Sequence, residues 1–471
     1  MLGREGYGCE NMSEAKIEKN KNYIIDITDM THEAQGVGRL DGLAVFVDGA
    51  LVSERVEVKI IKLTKSYGVG KLIGILRPSP HRIEPFCQAY KRCGGCNLQH
   101  LDYQAQLDFK TGLVKDNLKR LGGLNDVVVH DTIGMEQPYR YRNKAQYPVS
   151  MVEGKAVTGF YAARSHDVMQ SDECEIQDAH SDNIRGVISQ FLDEYKIPIY
   201  DEKSGKGLLR HIVTRVGFNT GELMVVLVIN GRQLPDSDEL VRRLLEADRG
   251  AKSIYLNINT EKTNVILGRK NILLYGSEAI TDTIGPYKYM ISPHSFFQVN
   301  PIQTEVLYSK ALEYAGLTGS ETVFDLYCGI GTISLFLSAK AKKVYGVEVV
   351  EAAIEDARRN AQLNGVANTE FIAGEAEKVI PEMCSSGIRA DVVVLDPPRK
   401  GCDEPLLKQL TEMQPDRIVY VSCNPATLAR DLKYLCSQGY KAVEVQPVDM
   451  FPWSGHVECI VLIKRAESRM G

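Results

Sequence analysis

Val323-Phe324-Asp325-Leu326-Tyr327-Cys328-Gly329-Ile330-Gly331 is an apolar run of strand length that ends in an acid and breaks into a turn bracketed by glycines. An apolar helical stretch follows from Ile333 to Ala339, then a second strand, Lys343-Val344-Tyr345-Gly346-Val347-Glu348, then an alanine-rich helix from Val350 to Leu363. Strand and helix in alternation mean parallel strands joined by crossovers, so the segment predicts a right-handed, doubly wound α/β sheet.

Ligands bind such sheets at the strand C-termini. Here the first strand ends in Gly-x-Gly without the third glycine that accommodates a pyrophosphate, and Glu348 ends the second strand about 20 residues on. An acid there suits ribose hydroxyls, and the absence of a phosphate turn favours S-adenosylmethionine over a dinucleotide. Three further strands end in chemistry. Val392–Leu395 runs into Asp396-Pro397-Pro398-Arg399, Ile418–Val421 into Ser422-Cys423-Asn424-Pro425, and His456-Val457-Glu458-Cys459 opens another apolar run. A thiol and two carboxylates at one sheet edge suit addition to an electron-poor ring. The helical run after Pro425 puts Cys423 near a helix N-terminus, which predicts a lowered thiol pKa.

Upstream, Tyr23–Ile27, Ala44–Val47 and Val56–Ile60 read as short strands separated by Gly36-Val37-Gly38 and Asp41-Gly42. Residues 16–76 therefore predict an OB-like β-barrel. Seven Lys/Arg and one acid, Glu57, between Arg55 and Arg82 give it an RNA-binding face. Residues 1–15 form an N-terminal extension, with Met12 an alternative start. Residues 77–291 predict a central α+β domain, with a helix over 103–121 (Leu107, Val114, Leu118 and Leu121 apolar) that packs on the catalytic domain, 292–471. Tyr139-Arg140-Tyr141-Arg142-Asn143-Lys144 interleaves aromatics and cations as RNA contact requires, and Phe296 or Phe297 is a candidate for stacking on a base.

The 471 residues carry a net charge of -5, which argues against indiscriminate coating of nucleic acid. No apolar run approaches membrane-span length, and the N-terminal residues show no secretory signal. Eleven cysteines without such a signal imply a reducing, cytoplasmic compartment. Cys87, Cys93 and Cys96 cluster, with Cys174 a fourth candidate; four thiolates suit zinc or an iron–sulfur cluster, and spacing does not choose.

The motifs Asp325–Thr332, Asp396–Gly401, Ser422–Asp431 and His456–Glu458, with Ser295-Phe296-Phe297-Gln298-Val299-Asn300 ahead of the sheet, resemble the RNA uracil-5-methyltransferase family. The similarity covers nearly the whole chain and is strongest to the branch acting on 23S ribosomal RNA. It implies a TRAM barrel and a Rossmann-like S-adenosylmethionine methyltransferase fold. It also implies Gln298, Tyr327, Glu348 and Asp396 as cofactor-binding residues, Cys423 as nucleophile, Glu458 as base, and a [4Fe-4S] cluster on Cys87, Cys93, Cys96 and Cys174. The expected partner is ribosomal RNA, at an unfolded or single-stranded loop whose uridine flips out, met by a monomer. The rivals are a transfer-RNA uracil-5-methyltransferase, whose relatives are expected to lack the barrel and the cluster cysteines, and a non-catalytic rRNA-folding factor, against which Cys423 and Glu458 weigh.

Overall fold

Alternating burial builds the N-terminal strands of this computed structural model, which describes residues 17–466; the expected extension, with Cys9 and Met12, lies outside the described residues. Strands β1 (Asn22–Met30), β2 (Gln35–Leu40), β3 (Leu43–Asp48), β4 (Arg55–Leu63) and β5 (Tyr67–Arg77) close a barrel in the order β1-β2-β3-β5-β4. Val56, Val58 and Ile60 of β4 point inward with Ile25, Ile27, Val45 and Val47. Closure removes the sheet edges that would otherwise invite pairing. This barrel, with the chain up to Glu84 and with His100–Asp102, is one compact unit; Pro85–Gln99 and the chain from Tyr103 onward are the other. Within the first unit Glu54 is fully buried. Burial pushes its carboxyl up, but two donors from Arg82 (2.5 and 2.9 Å) and the N–H groups of Leu51 and Ser79 outweigh it and leave it below the ordinary value.

The second unit begins with α1 (Tyr103–Asn117), which runs into a π-helical turn over Leu118–Gly122 and stops at Gly123, φ 68°. Val114 and Leu118 are buried as the spacing predicts, but Leu121 is 51% exposed. The wider π turn breaks the 3.6-residue period, so the last apolar position rotates away from the core. Lys110 of α1 is buried and donates to Asp449 Oδ1 at 2.5 Å, and Tyr103 OH donates to Asp449 Oδ2 at 2.9 Å.

After β6 (Val128–Val129) a seven-stranded sheet forms from β7 (Lys144–Val152), β8 (Lys155–Tyr161), β9 (Val168–Gln170), β10 (Leu209–Val216), β11 (Leu223–Ile229), β12 (Ala251–Ile258) and β13 (Lys270–Gly276), in the order β13-β12-β11-β10-β7-β8-β9. Helices α2 (Ala179–Glu194) and α3 (Ser237–Ala247) cover one face through Ile184, Ile188, Phe191, Leu240 and Leu244. The other face puts Val213, Met224 and Val226 into one core with Phe297, Leu307 and Val323. That is why β10 and β11 are buried on both sides, and why β11 is apolar throughout.

A hairpin of β14 (Ile280–Ile284) and β15 (Tyr287–Ile291) and helix α4 (Pro301–Ala315) lead into the C-terminal sheet. Its strands are β16 (Thr322–Leu326), β17 (Lys343–Glu348), β18 (Thr369–Ala373), β19 (Val392–Leu395), β20 (Arg417–Ser422), β21 (Tyr440–Val448) and β22 (Glu458–Arg465). The intervening helices are α5 (Thr332–Ser338), α6 (Glu351–Leu363), α7 (Ala376–Ser385), α8 (Glu404–Met413) and α9 (Pro425–Ser437). The order is β18-β17-β16-β19-β20-β22-β21-β6. From β16 the chain winds outward to β18, then returns to β19 and winds the other way. The crevice at such a reversal, here beyond Leu326 and Leu395, is where a doubly wound sheet binds its ligand. β22 runs antiparallel to both neighbours, so its N-terminus lies at the C-terminal edge of the parallel strands.

Candidate active site

The register of β20 and β22 decides the site. Ser422 pairs with Cys459, so the next step on each strand brings Cys423 opposite Glu458. Asn424 then caps α9, its side chain accepting from Ala426 N–H at 3.0 Å. Cys423 therefore does precede a helix N-terminus, but its thiol is not lowered. Burial, then the carboxyls of Glu458 and Asp396, push it up to about 11, against which Arg399 and a backbone N–H donor act downward. Desolvation and two acids outweigh a partial helix charge. Glu458 is buried and held well above the ordinary carboxyl range by burial and then Asp396, with Arg399 again opposing. Burial raises Asp396 to about 7. The three groups read from the sequence thus share one buried pocket, and Arg399 is the cation that acts on both Cys423 and Glu458.

Arg399 was legible as a residue beside the Pro-Pro turn, but not in this role. What fixes its loop is α9. Asn424 Nδ2 and Thr427 Oγ1 donate to the Arg399 carbonyl at 3.2 and 3.1 Å. Asp431 Oδ2 accepts from Cys402 N–H at 2.8 Å and from Tyr420 OH at 2.7 Å, while Arg430 donates to the Lys400 and Cys402 carbonyls. A polar residue such as Asp431, buried on an otherwise apolar helix face, was the signal available for this network.

The glycine-rich turn is shaped by backbone that side chains resist. Tyr327 adopts φ 67°, and both Tyr327 and Cys328 donate their N–H to the Val347 carbonyl. Gly331 has φ 81°, and a Cβ there would stand 3.0 Å from the Phe371 ring and 3.2 Å from Ala357. Asp325 is buried, raised to about 7 by desolvation, and accepts from Ser334 Oγ at 2.5 Å. Glu348 ends β17 and accepts from Val350 N–H at 3.0 Å. Asn360 of α6 donates to the Ile330 carbonyl at 3.0 Å, bracing the turn. Gln298 is buried just ahead of α4, and its carbonyl accepts from Asn143 Nδ2 at 3.0 Å. Of the two phenylalanines beside it, Phe297 packs into the core against Tyr289, whereas Phe296 is 70% exposed.

A family model described as tRNA (uracil-5-)-methyltransferase matches residues 102–466, and a TRAM domain model matches residues 17–73. The chain belongs to the tRNA (uracil-5-)-methyltransferase family. It is an S-adenosylmethionine-dependent RNA methyltransferase, and it carries a TRAM barrel. RNA methyltransferases of Clostridium tetani (54% identical, 95% of this chain and 97% of the relative) and Caldanaerobacter subterraneus subsp. tengcongensis (53%, 96% and 99%) are similar along their length. The tRNA (uracil-54, C5)-methyltransferase of Pyrococcus abyssi, solved with S-adenosyl-L-homocysteine, superposes with TM-score 0.75 at 30% identity, over 93% of this chain and 99% of that one.

In this methyltransferase all ten described cysteines are free. Cys96 is pushed up to about 12 by burial first and then by Cys174, Cys93 and Cys87, and Cys174 to about 11 by burial, with Cys93 contributing. The four cysteines from the sequence therefore lie within one another's electrostatic reach. Gly95 N–H donates to Cys93 Sγ at 3.4 Å. Among the described residues, however, no three His, Cys, Asp or Glu side chains are arranged to hold a metal ion. Nor is any described helix long and apolar enough to cross a membrane.

Proposed function

We propose that the enzyme methylates C5 of uridine in RNA, with 23S ribosomal RNA as substrate, by covalent addition of Cys423. The observation that carries this reading is the β20–β22 register, which sets a thiol and a buried carboxyl side by side next to Asp396 and Arg399. Uracil C5 is a weak nucleophile. Attack of the Cys423 thiolate on C6 forms an S–C6 bond and moves the ring electron pair towards C5 and O4, which makes C5 nucleophilic. C5 takes the methyl group of S-adenosylmethionine, which Gln298, Tyr327, Glu348 and Asp396 would hold; the S–CH3 bond breaks as the C5–CH3 bond forms, and S-adenosylhomocysteine leaves. Glu458 then takes the C5 proton, the C5=C6 bond re-forms, and the S–C6 bond breaks to free the thiolate. Burial makes Glu458 a strong base once ionised, and Arg399 favours the ionised forms of both Cys423 and Glu458.

The cysteines Cys87, Cys93, Cys96 and Cys174 fit a [4Fe-4S] cluster by donor chemistry: four free thiols, with Cys96 in electrostatic reach of the other three and Cys93 accepting an N–H donor on sulfur. A cluster there would tie the 87–96 segment to the loop carrying Cys174, a structural role, since methylation needs no electron transfer. The enzyme is proposed to work in the cytoplasm as a monomer. Transfer RNA is the second substrate reading. It is favoured by the Pyrococcus abyssi neighbour, a tRNA (uracil-54, C5)-methyltransferase that matches 93% of this chain. Labelled S-adenosylmethionine with unmodified 23S and transfer-RNA transcripts, followed by nucleoside mass spectrometry, separates the two. 5-Methyluridine in 23S RNA alone supports the first reading, and in transfer RNA alone the second. None in either removes both.

A further inference from the structure

Lys144 opens β7, and Arg215 stands directly opposite it in β10. Like charges across a strand pair destabilise a sheet, so this pairing calls for a reason. Two more cations join it. Arg142 lies two residues before Lys144, its guanidinium 6.0 Å over the Phe451 ring. His294 sits between Pro293 and Ser295, whose carbonyls both accept from Arg215 Nη2, at 3.1 and 2.7 Å.

The cations act on one another. Lys144 is lowered to about 8 by burial and then by Arg215 and Arg142, and His294 is lowered by burial and then by Arg215 and Lys144. Burial lowers Arg215 to about 10. No carboxylate figures among the causes for these three. Asp356 of α6, which meets the residue after His294, is engaged by Ser295 Oγ at 3.0 Å and Arg359 at 3.5 Å. The Nε atoms of Arg142 and Arg215 are buried without a partner. Arg215 is buried and Arg142 and Lys144 are partly so; charge of one sign held there without a counter-ion is costly, and an arriving anion would offset that cost. The cluster opens to solvent at His294 and Phe296, and Asn143, between Arg142 and Lys144, donates to the carbonyls of Gln298 and Val299. It therefore stands on the central sheet, joined by Asn143 to the Gln298–Val299 backbone.

We propose that Arg142, Lys144, Arg215 and His294 form a binding site for a backbone phosphodiester of the substrate RNA, an inference that rests on the RNA-methylation reading. A phosphate among them restores the charge on Lys144 and His294, so RNA binding takes up protons and weakens as pH rises through about 8. A carboxylate of the methyl donor is the competing anion.

The test uses the full-length protein, a fluorescent oligouridine, unmodified 23S and transfer-RNA transcripts, and S-adenosylmethionine. Lys144→Met is expected to bind oligouridine roughly tenfold more weakly, to lower the slope of log affinity against log salt by about 0.7, and to leave S-adenosylmethionine affinity unchanged. Its thermal midpoint should not fall, because a repulsion has been removed; a merely structural lysine would lower it. Lys144→Arg should keep the affinity and lose much of the pH dependence between 7 and 9. Wild-type affinity and salt slope in Lys144→Met overturn the site, as does a loss confined to S-adenosylmethionine. If the wild type makes no 5-methyluridine but Lys144→Met still loses oligouridine, the site stands and the methylation reading falls.

Discussion

The proposed nucleophile, Cys423, should be almost inert before RNA arrives. Burial, Glu458 and Asp396 place the Cys423 thiol near 11. Against an ordinary thiol near 8.5, its thiolate fraction at pH 8 falls from roughly a quarter to roughly one part in a thousand, so at equal intrinsic reactivity alkylation slows about 200-fold. The neighbours act with opposite signs, which makes the reasoning refutable. Glu458→Gln removes a carboxyl that holds the thiol up, so the midpoint of reactivity moves down. Arg399→Gln removes the cation that pulls it down, so the midpoint moves up; each unit of movement is about tenfold in rate and about 1.4 kcal/mol. The assay follows iodoacetamide labelling of the Cys423 peptide by mass spectrometry between pH 7 and pH 10.5, without RNA, against urea-unfolded protein. Labelling as fast as in the unfolded chain, or shifts of the same sign in the two variants, would refute the account.

With RNA present, Glu458→Gln should accumulate a covalent RNA–protein adduct that survives denaturing gels, while product release falls roughly 100-fold or more; release at the wild-type rate removes Glu458 as base. Lys110→Met leaves Asp449 buried without its cation and should cost about 3–5 kcal/mol by denaturant titration, much of it recovered when Asp449 also becomes Leu. Asp325 and Asp396 keep their protons to about pH 7 when folded, so they bind protons more tightly in the folded chain than in the unfolded one. Their contribution is fully present below pH ~4 and is lost as pH rises through about 7. Denaturant midpoints of Asp396→Asn should accordingly fall less than those of the wild type between pH 5 and pH 8, and identical slopes would count against the buried, protonated Asp396.

Much of the site was legible because strand ends are legible. Apolar runs that stop at Asp396, Cys423 and Glu348 mark the C-terminal edge of a parallel sheet, and topology does the rest. What the sequence could not show was the balance of forces inside the pocket. The helix that follows Cys423 was read correctly, yet the thiol shift took the other sign, because three-dimensional burial and two acids distant in sequence outweigh one helix end. Local period misled at Leu121 for a related reason: a π turn stabilised by packing and by Gly123 is invisible to a 3.6-residue count. The Lys144–Arg215 pairing was hidden in the same way, since strand register joins residues 71 positions apart.

The antiparallel last strand is where fold and chemistry meet. A purely parallel sheet presents only strand C-termini at its ligand edge, each followed by a loop and a helix. Such ends suit the Asp396 turn, and Cys423 at the head of α9, but a residue there is carried on a turn. β22 instead begins at that edge, so Glu458 is the first residue of a strand already paired on both sides, to Val448 in β21 and, one step on, to Ser422 in β20. On the proposed mechanism, the base that meets the C5 proton has to be held still and dry. A strand N-terminus inside a sheet provides both, whereas a loop provides neither. If so, shifting the β20–β22 register by one residue would turn Glu458 to the opposite face while leaving Cys423 in place. An inserted residue between Glu458 and Cys459 should therefore keep adduct formation and abolish release. Loss of both steps in a protein that still binds S-adenosylmethionine would show that the strand serves the nucleophile as much as the base.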